Sequence, residues 1–236
     1  MSIFNTVPPL AAGPGIKFDG ERISTAAAPK NWLDNSDFTN LVAQAGIGGK
    51  YGNTAYAADR WILTSGKISY TPGVGLAVEG KITQRLEHVP DNPSCFVGMA
   101  SGTADISING NEVTITSAGG VIKWAALYDG AYTAETIPRY QPKGESAELA
   151  ACKRYAQKLS AFYLDRNVQT LYMCIMFDEM RVMPTLTFEN DSQDNLINGT
   201  GVWRVSTTGA SGKFGDLADT TAQAHWYGSI YLDANI

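Results

Sequence analysis

The stretch Asn31-Trp32-Leu33-Asp34-Asn35-Ser36-Asp37-Phe38, with the Asp59-Arg60-Trp61 that follows it, decides how the rest of the chain is interpreted. Its apolar residues give a short anchor, and its polar residues at 34–37 predict a turn, because such side chains bond to nearby backbone. A run rich in Gly, Ala and Asn then leads to Trp61-Ile62-Leu63, which is typical of a strand. We therefore expect residues 1–30 to serve attachment or oligomerisation and residues 31–236 to form one β domain.

The composition is typical of a globular domain that neither binds nucleic acid nor inserts into a membrane. The chain has 236 residues, 44% of them apolar, which suits one large domain with a sizeable core. Only 17% are charged, and 24 glycines indicate short strands and many turns. A net charge of −5 without a basic run argues against nucleic-acid binding. No apolar run approaches the ~20 residues that span a bilayer, so we expect no membrane insertion.

The first residues and the cysteines indicate a protein made in a reducing cytoplasm. Met1–Pro9 lacks the basic start and apolar core of a signal peptide. Three cysteines at positions 95, 152 and 174 are an odd number without metal-ligand spacing, and we expect three buried thiols. Two isolated histidines give no zinc motif. We expect neither a metal nor a cofactor.

Strand signals recur at short intervals. Ile16–Ile23 alternates around Asp19-Gly20 and predicts a small hairpin, with a disordered tail as the alternative. From Trp61 onward short alternating runs follow each other, and Asn109-Gly110 marks the clearest hairpin. This spacing is typical of an antiparallel β-sandwich or jelly roll rather than of a βαβ fold.

One short helix interrupts the strands. Apolar residues recur every three to four positions from Leu149 to Leu159, and Ser146 is placed to cap the N-terminus. Strands are predicted again at 171–177, 185–188, 201–206 and 225–232. Residues 189–200 are expected to form a polar loop and residues 207–224 a longer one that is mobile or faces a partner.

Several stretches, in order, resemble one family. The segment 28–40, with its Asn31-Trp32-Leu33-Asp34-Asn35, resembles the opening of the β domain in tailed-phage and prophage fibre or appendage proteins. The further matching stretches are Asp59-Arg60-Trp61, Ile82-Thr83-Gln84-Arg85-Leu86, Lys123-Trp124-Ala125, the link from Pro142 to Leu149–Tyr155, Met180–Thr187 and Ile230–Asn235. The resemblance covers roughly residues 28–236.

The resemblance implies a jelly-roll sandwich like a carbohydrate-binding module, carried on a virion as a tail fibre, short fibre or head fibre. It implies a homotrimer joined to other virion proteins through residues 1–30 and receptor binding to host surface glycans. Trp32 stands where that family commonly has Leu, and the short attachment part favours a small appendage. The alternative is a purely structural capsid decoration or fibre joint; a module of a bacterial enzyme is disfavoured because we see no signal peptide or catalytic neighbour.

Candidate ligand-binding residues are aromatic and polar side chains in predicted loops, since aromatic rings stack on sugar C–H faces and amides bond hydroxyls. These candidates are Tyr51, Asn53, Tyr56, Tyr132, Tyr140 and Trp203. Trp61, Trp124 and Trp226 lie in strand patterns and are expected to pack in the core. The acidic clusters at 34/37 and 190–194 are interpreted as turn caps rather than Ca²⁺ sites. No nucleophile elbow or paired-carboxylate motif is recognisable, so we expect no enzyme activity.

Overall fold

The computed structural model describes residues 16–19, 22–25, 29–51, 53–166, 170–194, 196–197, 203–217 and 223–234, with side chains at 29–51, 53–160, 173–189, 204–212 and 226–234. Over this part the protein is mainly β, with antiparallel sheets and one short helix, which confirms the predicted fold class at that level. The elements are β1 (Ile16–Asp19), β2 (Arg22–Thr25), β3 (Lys50–Tyr51), β4 (Thr54–Ala58), β5 (Trp61–Thr71), β6 (Gly75–Arg85), β7 (Pro93–Ser101), β8 (Ala104–Asn109), β9 (Glu112–Asp129), α1 (Glu145–Lys153), β10 (Ala156–Arg166), β11 (Thr170–Met176), β12 (Thr185–Asp194), β13 (Leu196–Ile197), β14 (Trp203–Val205), β15 (Gly209–Leu217) and β16 (Gln223–Asp233).

The described strands form four sheets. A seven-stranded sheet has the order β3-β4-β5-β6-β9-β7, with β8 also paired to β9. A three-stranded sheet has the order β10-β16-β12, and a four-stranded sheet has the order β11-β15-β13 with β14 beside β15. The hairpin β1–β2 forms the fourth sheet, which confirms the predicted N-terminal hairpin. The predicted Asn109-Gly110 hairpin is also confirmed, with Asn109 opposite Glu112.

Two glycines face each other in the large sheet. Gly66 of β5 pairs with Gly80 of β6, and their φ angles are +90° and +135°. A Cβ on Gly66 would lie 1.8 Å from the Glu79 carbonyl oxygen, so no other residue fits without moving the backbone. A close backbone approach of this kind is a common reason for glycine inside a strand.

The opening stretch packs into the large sheet and completes its core. Leu33 and Phe38 are fully buried, and the Phe38 ring lies 5.3 Å from that of Trp61. The stretch also pairs with the end of β9, because Trp32 N donates to Leu127 O and Ala125 N donates to Ser36 O, both at 2.9 Å. It therefore contributes both core side chains and strand-like hydrogen bonds to this sheet.

The two C-terminal sheets share an apolar cluster. Met173 and Ile175 of β11 pack with Leu159, Phe188, Trp226 and Ile230 of the three-stranded sheet. Apolar faces of two antiparallel sheets in contact are consistent with a β-sandwich. A second cluster, which contains Tyr51, Tyr56, Ala156 and Tyr231, joins the β3–β4 end of the large sheet to β10 and β16.

The helix is shorter than predicted. It ends at Lys153, and Leu159 lies in β10, where it packs in the apolar cluster between the C-terminal sheets. The predicted Ser146 cap is wrong, because the N-cap is Gly144 and no side chain caps the helix. Tertiary contacts explain the early end, since Ala156 is 1% exposed and pairs with Asp233 in the sheet.

Both predicted C-terminal loops are wrong in part. Strand β12 extends to Asp194 through a bulge, and β15 spans Gly209–Leu217. Strand β15 lies between β11 on one edge and β13 and β14 on the other, so its glycines and alanine are held by neighbours on both sides. The prediction of three buried thiols is also wrong: only Cys152 is buried, Cys95 is half-buried and Cys174 is exposed.

Candidate functional site

Two of the predicted ligand-binding tyrosines are buried. Tyr51 and Tyr56 are each 1% exposed, so the expectation that they lie on a binding surface is wrong. The Tyr51 hydroxyl donates to Asp59 at 3.0 Å, and the Tyr51 ring meets those of Tyr56 and Tyr231 edge-on. The Gly- and Asn-rich run suggested a surface loop, but the chain there folds inward between two sheets.

The other candidates are not gathered into one site. Asn53 is exposed on the turn between β3 and β4. Tyr132 and Tyr140 are half-buried, and Tyr140 stacks on Trp124 with 5.1 Å between centroids and 9° between planes. Trp203 begins β14, but its side chain lies outside the described ones. Asn53, Tyr132 and Tyr140 do not line the groove formed by the two pockets at Arg60 and Tyr155.

The tryptophans predicted to pack do so to different extents. Trp61 is fully buried and Trp226 is 2% exposed, as expected of core residues. Trp124 is only half-buried and packs against Gly98 as well as Tyr140. Trp61 and Trp226 are therefore core residues, whereas Trp124 forms a half-buried stacked pair with Tyr140.

Within the opening stretch, Asn35 makes hydrogen bonds to several distant parts of the fold. It is fully buried with φ +50°, and its side-chain amide donates at 2.7 Å to the carbonyls of both Val42 and Asp59. Its Oδ1 accepts from Val42 N at 2.9 Å. Its own N–H donates at 2.6 Å to Glu148, and its carbonyl accepts from Trp61 Nε1 at 2.9 Å. The Asn35 side chain thus holds the turn against the Val42 and Asp59 backbone, and the Asn35 backbone connects the turn to α1 and to Trp61.

Asp34 and Arg60 extend this network towards the surface. The Asp34 carboxylate lies 3.4 Å from Arg60 Nε and 2.8 Å from Lys143 Nζ. Gln84 completes the ring of contacts, because its amide donates to Asp34 O at 2.8 Å and its Oε1 accepts from Asp34 N at 2.9 Å. Arg60 also donates to Arg85 O at 2.6 Å, so its guanidinium is fixed at the floor of a groove.

The groove consists of two adjoining pockets of about 190 and 120 Å³. They share Arg60, Leu86, Glu87 and Tyr155. We call this surface the cationic groove; its lining residues are Lys30, Trp32, Asp34, Arg60, Arg85, Leu86, Glu87, His88, Asn111, Lys143, Arg154, Tyr155 and Arg181. Each pocket is smaller than the roughly 300–1,000 Å³ typical of drug-sized ligands, so each suits one small group.

Positive charge is concentrated in the cationic groove. Six lysines and arginines line it against two carboxylates, which leaves four positive charges in excess, whereas the whole chain carries −5. Three guanidiniums surround the Tyr155 ring: that of Arg60 lies 3.3 Å from its centroid, that of Arg181 5.6 Å and that of Arg154 5.9 Å. Like charges this close repel each other unless an anion lies among them.

Glu87 neutralises only part of this charge. Its carboxylate accepts from Arg154 at 3.1 Å and lies 3.8 Å from Arg181 Nε. Within the described part of the chain, Arg181 Nε is buried without a hydrogen-bond partner. Burial raises the pKa of Tyr155 to about 12, although the nearby Arg60 opposes the shift. Tyr155 is therefore a neutral hydroxyl at physiological pH.

The smaller pocket of the groove includes an aromatic side chain. Trp32 is half-buried, and Lys30 Nζ lies 4.0 Å above its ring. The groove therefore combines an aromatic ring with guanidinium and ammonium groups and a neutral hydroxyl. This combination can bind an anionic, partly apolar ligand.

Sequence reasoning missed the groove, although a signal was present. The charged lining residues are separated by up to 151 positions, from Lys30 to Arg181, and only the fold brings them together. Yet five of the seven stretches that carry the family resemblance contribute a lining residue to it. A single basic side chain in each of several ordered motifs was the available clue.

The acidic clusters are only partly described. The Asp37 carboxylate accepts from Thr39 N at 3.1 Å and from its hydroxyl at 2.6 Å, which confirms the turn-cap interpretation for Asp37. For Asp34 that interpretation is wrong, because its carboxylate pairs with Arg60 and Lys143. In the described residues, no group of three or more His, Cys, Asp or Glu is arranged to hold a metal ion. Side chains of the cluster at 190–194 lie outside the described ones.

Comparisons with protein-family models, with curated proteins and with solved structures found no match to the chain. Among the described residues, no helix has the length and apolar character needed to cross a membrane.

Proposed function

We propose that this chain is a structural protein of a tailed-phage virion, carried as a tail, short or head fibre, that attaches the particle to host surface glycans. The ordered motifs of residues 28–236 support the family, and the mainly β antiparallel architecture is compatible with it. In this proposal the sheets after position 31 form a jelly roll like that of a carbohydrate-binding module. The protein binds its ligand and does not transform it.

The observation that carries the proposal is the cationic groove. Loops and strand ends on a rigid β scaffold commonly carry binding residues. Here Trp32 offers an apolar face, and the surrounding Lys30, Lys143 and Arg154 offer hydrogen-bond donors. Sugars present apolar C–H faces beside hydroxyls and acidic substituents, so this chemistry fits a glycan.

The proposed assembly is a homotrimer joined through residues 1–30 to other virion proteins. The hairpin β1–β2 has four residues in each strand, and an isolated hairpin of two strands is marginally stable in water. It would gain stability by packing against copies of itself. Three or more copies on one particle would convert weak sugar contacts into strong attachment through effective concentration.

Two measurements test this proposal. Light scattering of the purified chain is expected to give three times the 25.3 kDa of one chain. Fluorescently labelled protein is expected to stain some members of a panel of bacterial strains, and periodate oxidation of surface sugars is expected to abolish the staining. Staining of no strain, or staining that resists periodate, would contradict glycan attachment.

A second candidate, a structural decoration or fibre joint, is favoured by exposed apolar side chains in the C-terminal part. Met176 is 73% exposed, Met183 65% and Tyr227 48%. Exposed apolar surface of this kind commonly marks a protein contact. Particles that lack the chain would distinguish the two functions, because a purely structural part leaves adsorption to host cells unchanged once the particles are assembled.

A further inference from the structure

We infer that the cationic groove recognises an acidic sugar, with its carboxylate or phosphate group bound in the pocket lined by Arg85, Arg181 and Tyr155. The inference builds on the proposed glycan attachment and names the class of glycan. It is carried by the hydrogen-bonding state of the two arginines and by the excess of positive charge around them.

Among the described residues, neither Arg85 nor Arg181 has a carboxylate within good hydrogen-bond distance of its side chain. Charge-assisted N–H···O contacts are typically about 2.7–2.9 Å long. The carboxylate nearest to Arg85 Nε, that of Glu112, lies 3.8 Å away, and the Glu87 carboxylate lies 3.8 Å from Arg181 Nε. Both contacts are too long to be good hydrogen bonds.

Arg154 and Arg181 compete for the Glu87 carboxylate, which leaves Arg181 less well paired. Arg154 already donates to both Glu87 oxygens, at 3.1 and 3.4 Å. Arg181 is therefore left with the weaker contact, and its buried Nε lacks a partner among the described residues. A buried donor without an acceptor is costly. The Arg181 side chain as a whole is 27% exposed and lines the pocket, so an anion bound there would offset its poorly compensated charge.

The fixed charge at the floor of the groove favours an anion as well. Arg60 is 2% exposed and held by Asp34 and by the carbonyl of Arg85, so it attracts an anion without contacting it. A planar guanidinium matches the two oxygens of a carboxylate or phosphate. The exposed Asn111 side chain can bond a hydroxyl of the same sugar, and the Tyr155 hydroxyl, which bonds Glu87, can accept from another.

The second pocket suits the next sugar of a chain. It adjoins the first at Arg60, Leu86, Glu87 and Tyr155, and the half-buried Trp32 lines it. Its volume of about 120 Å³ leaves room for one ring at most. A long polyanion such as nucleic acid is disfavoured, because the chain as a whole carries −5.

The test uses free monosaccharides with the full chain. Glucuronate provides a carboxylate, glucose 6-phosphate provides a phosphate, and glucose is the neutral match. Saturation-transfer NMR titrations are expected to show binding of one or both acidic sugars and none of glucose. Whichever acidic sugar binds more tightly identifies the natural substituent as a uronic acid or a sugar phosphate. Equal binding of glucose, or binding of neither acidic sugar, would overturn the inference.

Variants locate the binding in the groove. Replacing both arginines (Arg85→Gln with Arg181→Gln) is expected to weaken acidic-sugar binding about ten- to hundredfold, the equivalent of one charged hydrogen bond. Lys67→Gln with Lys123→Gln removes the same charge from exposed positions on β5 and β9 and is expected to leave binding unchanged. Equal loss in both pairs would reduce the effect to net charge and refute the assignment.

A single substitution and a DNA ligand serve as further controls for the sugar-binding test. Arg85→Gln alone alters a side chain that is 51% exposed, so it is expected to fold and still weaken binding at least severalfold. A short single-stranded DNA that binds more tightly than both sugars would reassign the groove to nucleic acid. Since free sugars are used, loss of bacterial staining would refute attachment alone, and loss of sugar binding would refute the groove assignment alone.

Discussion

Replacing Asn35 by Ala tests whether the opening stretch organises the fold. The substitution removes three buried side-chain hydrogen bonds, to the carbonyls of Val42 and Asp59 and from the N–H of Val42. Each buried group left without a partner costs about 1–3 kcal/mol. Holding Ala at a φ of +50° adds about 1 kcal/mol more. We expect a loss of at least about 4 kcal/mol, a large part of the roughly 5–15 kcal/mol that a domain has.

Urea unfolding followed by tryptophan fluorescence measures this loss. With an m-value of about 2 kcal/mol/M, the midpoint should fall by roughly 2 M. Asn40→Ala is the matched control, because Asn40 is exposed in the same stretch, and we expect a change within about 0.5 kcal/mol. An Asn35→Ala protein that loses less than about 1 kcal/mol would refute the idea that this buried amide holds the stretch in place.

Burial raises the pKa of Glu148, so its contribution to stability is full at acidic pH below its unfolded pKa and is lost as pH rises through the folded value. Glu148→Gln should therefore gain stability relative to wild type between pH 5 and pH 8 in urea unfolding; a constant difference would contradict this. Gly66→Ala should lower the melting temperature much more than Gly73→Ala, because a Cβ at Gly66 meets backbone whereas one at Gly73 meets open space; equal shifts in calorimetry would be unexpected. With a thiol reagent such as Ellman's, the exposed Cys174 should react in the native protein and the buried Cys152 only after unfolding; rapid native labelling of both would contradict the described packing.

Local signals in the sequence predicted the parts of the fold that depend on neighbouring residues. The Asn-Gly turn after β8 determines its own hairpin, because a two-residue turn with a positive φ at glycine needs no distant contact. The alternation around Asp19-Gly20 similarly predicted β1–β2. The general class, a mainly β protein with one short helix, followed from many such signals.

Parts that depend on distant contacts were not predictable in the same way. Leu159 continues a helical spacing, but it lies in a strand because β16 pairs with β10 from more than sixty residues away. Strand β15 is rich in small residues and owes its conformation to partners on both edges. Tyr51 and Tyr56 are buried because a later strand, β16, covers them.

The cationic groove depends on local sequence signals and on distant contacts. Arg60, Arg154 and Arg181 each lay within a recognised motif, but no local rule places three guanidiniums around one tyrosine ring. The sequence singled out these stretches one by one, and the fold brings residues from them together.

The most direct measurement of the central claim is binding of the purified chain to an array of bacterial surface polysaccharides, sorted into acidic and neutral ones. We expect binding to one or more acidic polysaccharides and a loss of that binding when Arg85 and Arg181 are both changed to Gln. Binding confined to neutral polysaccharides, or binding that survives the double substitution unchanged, would contradict it.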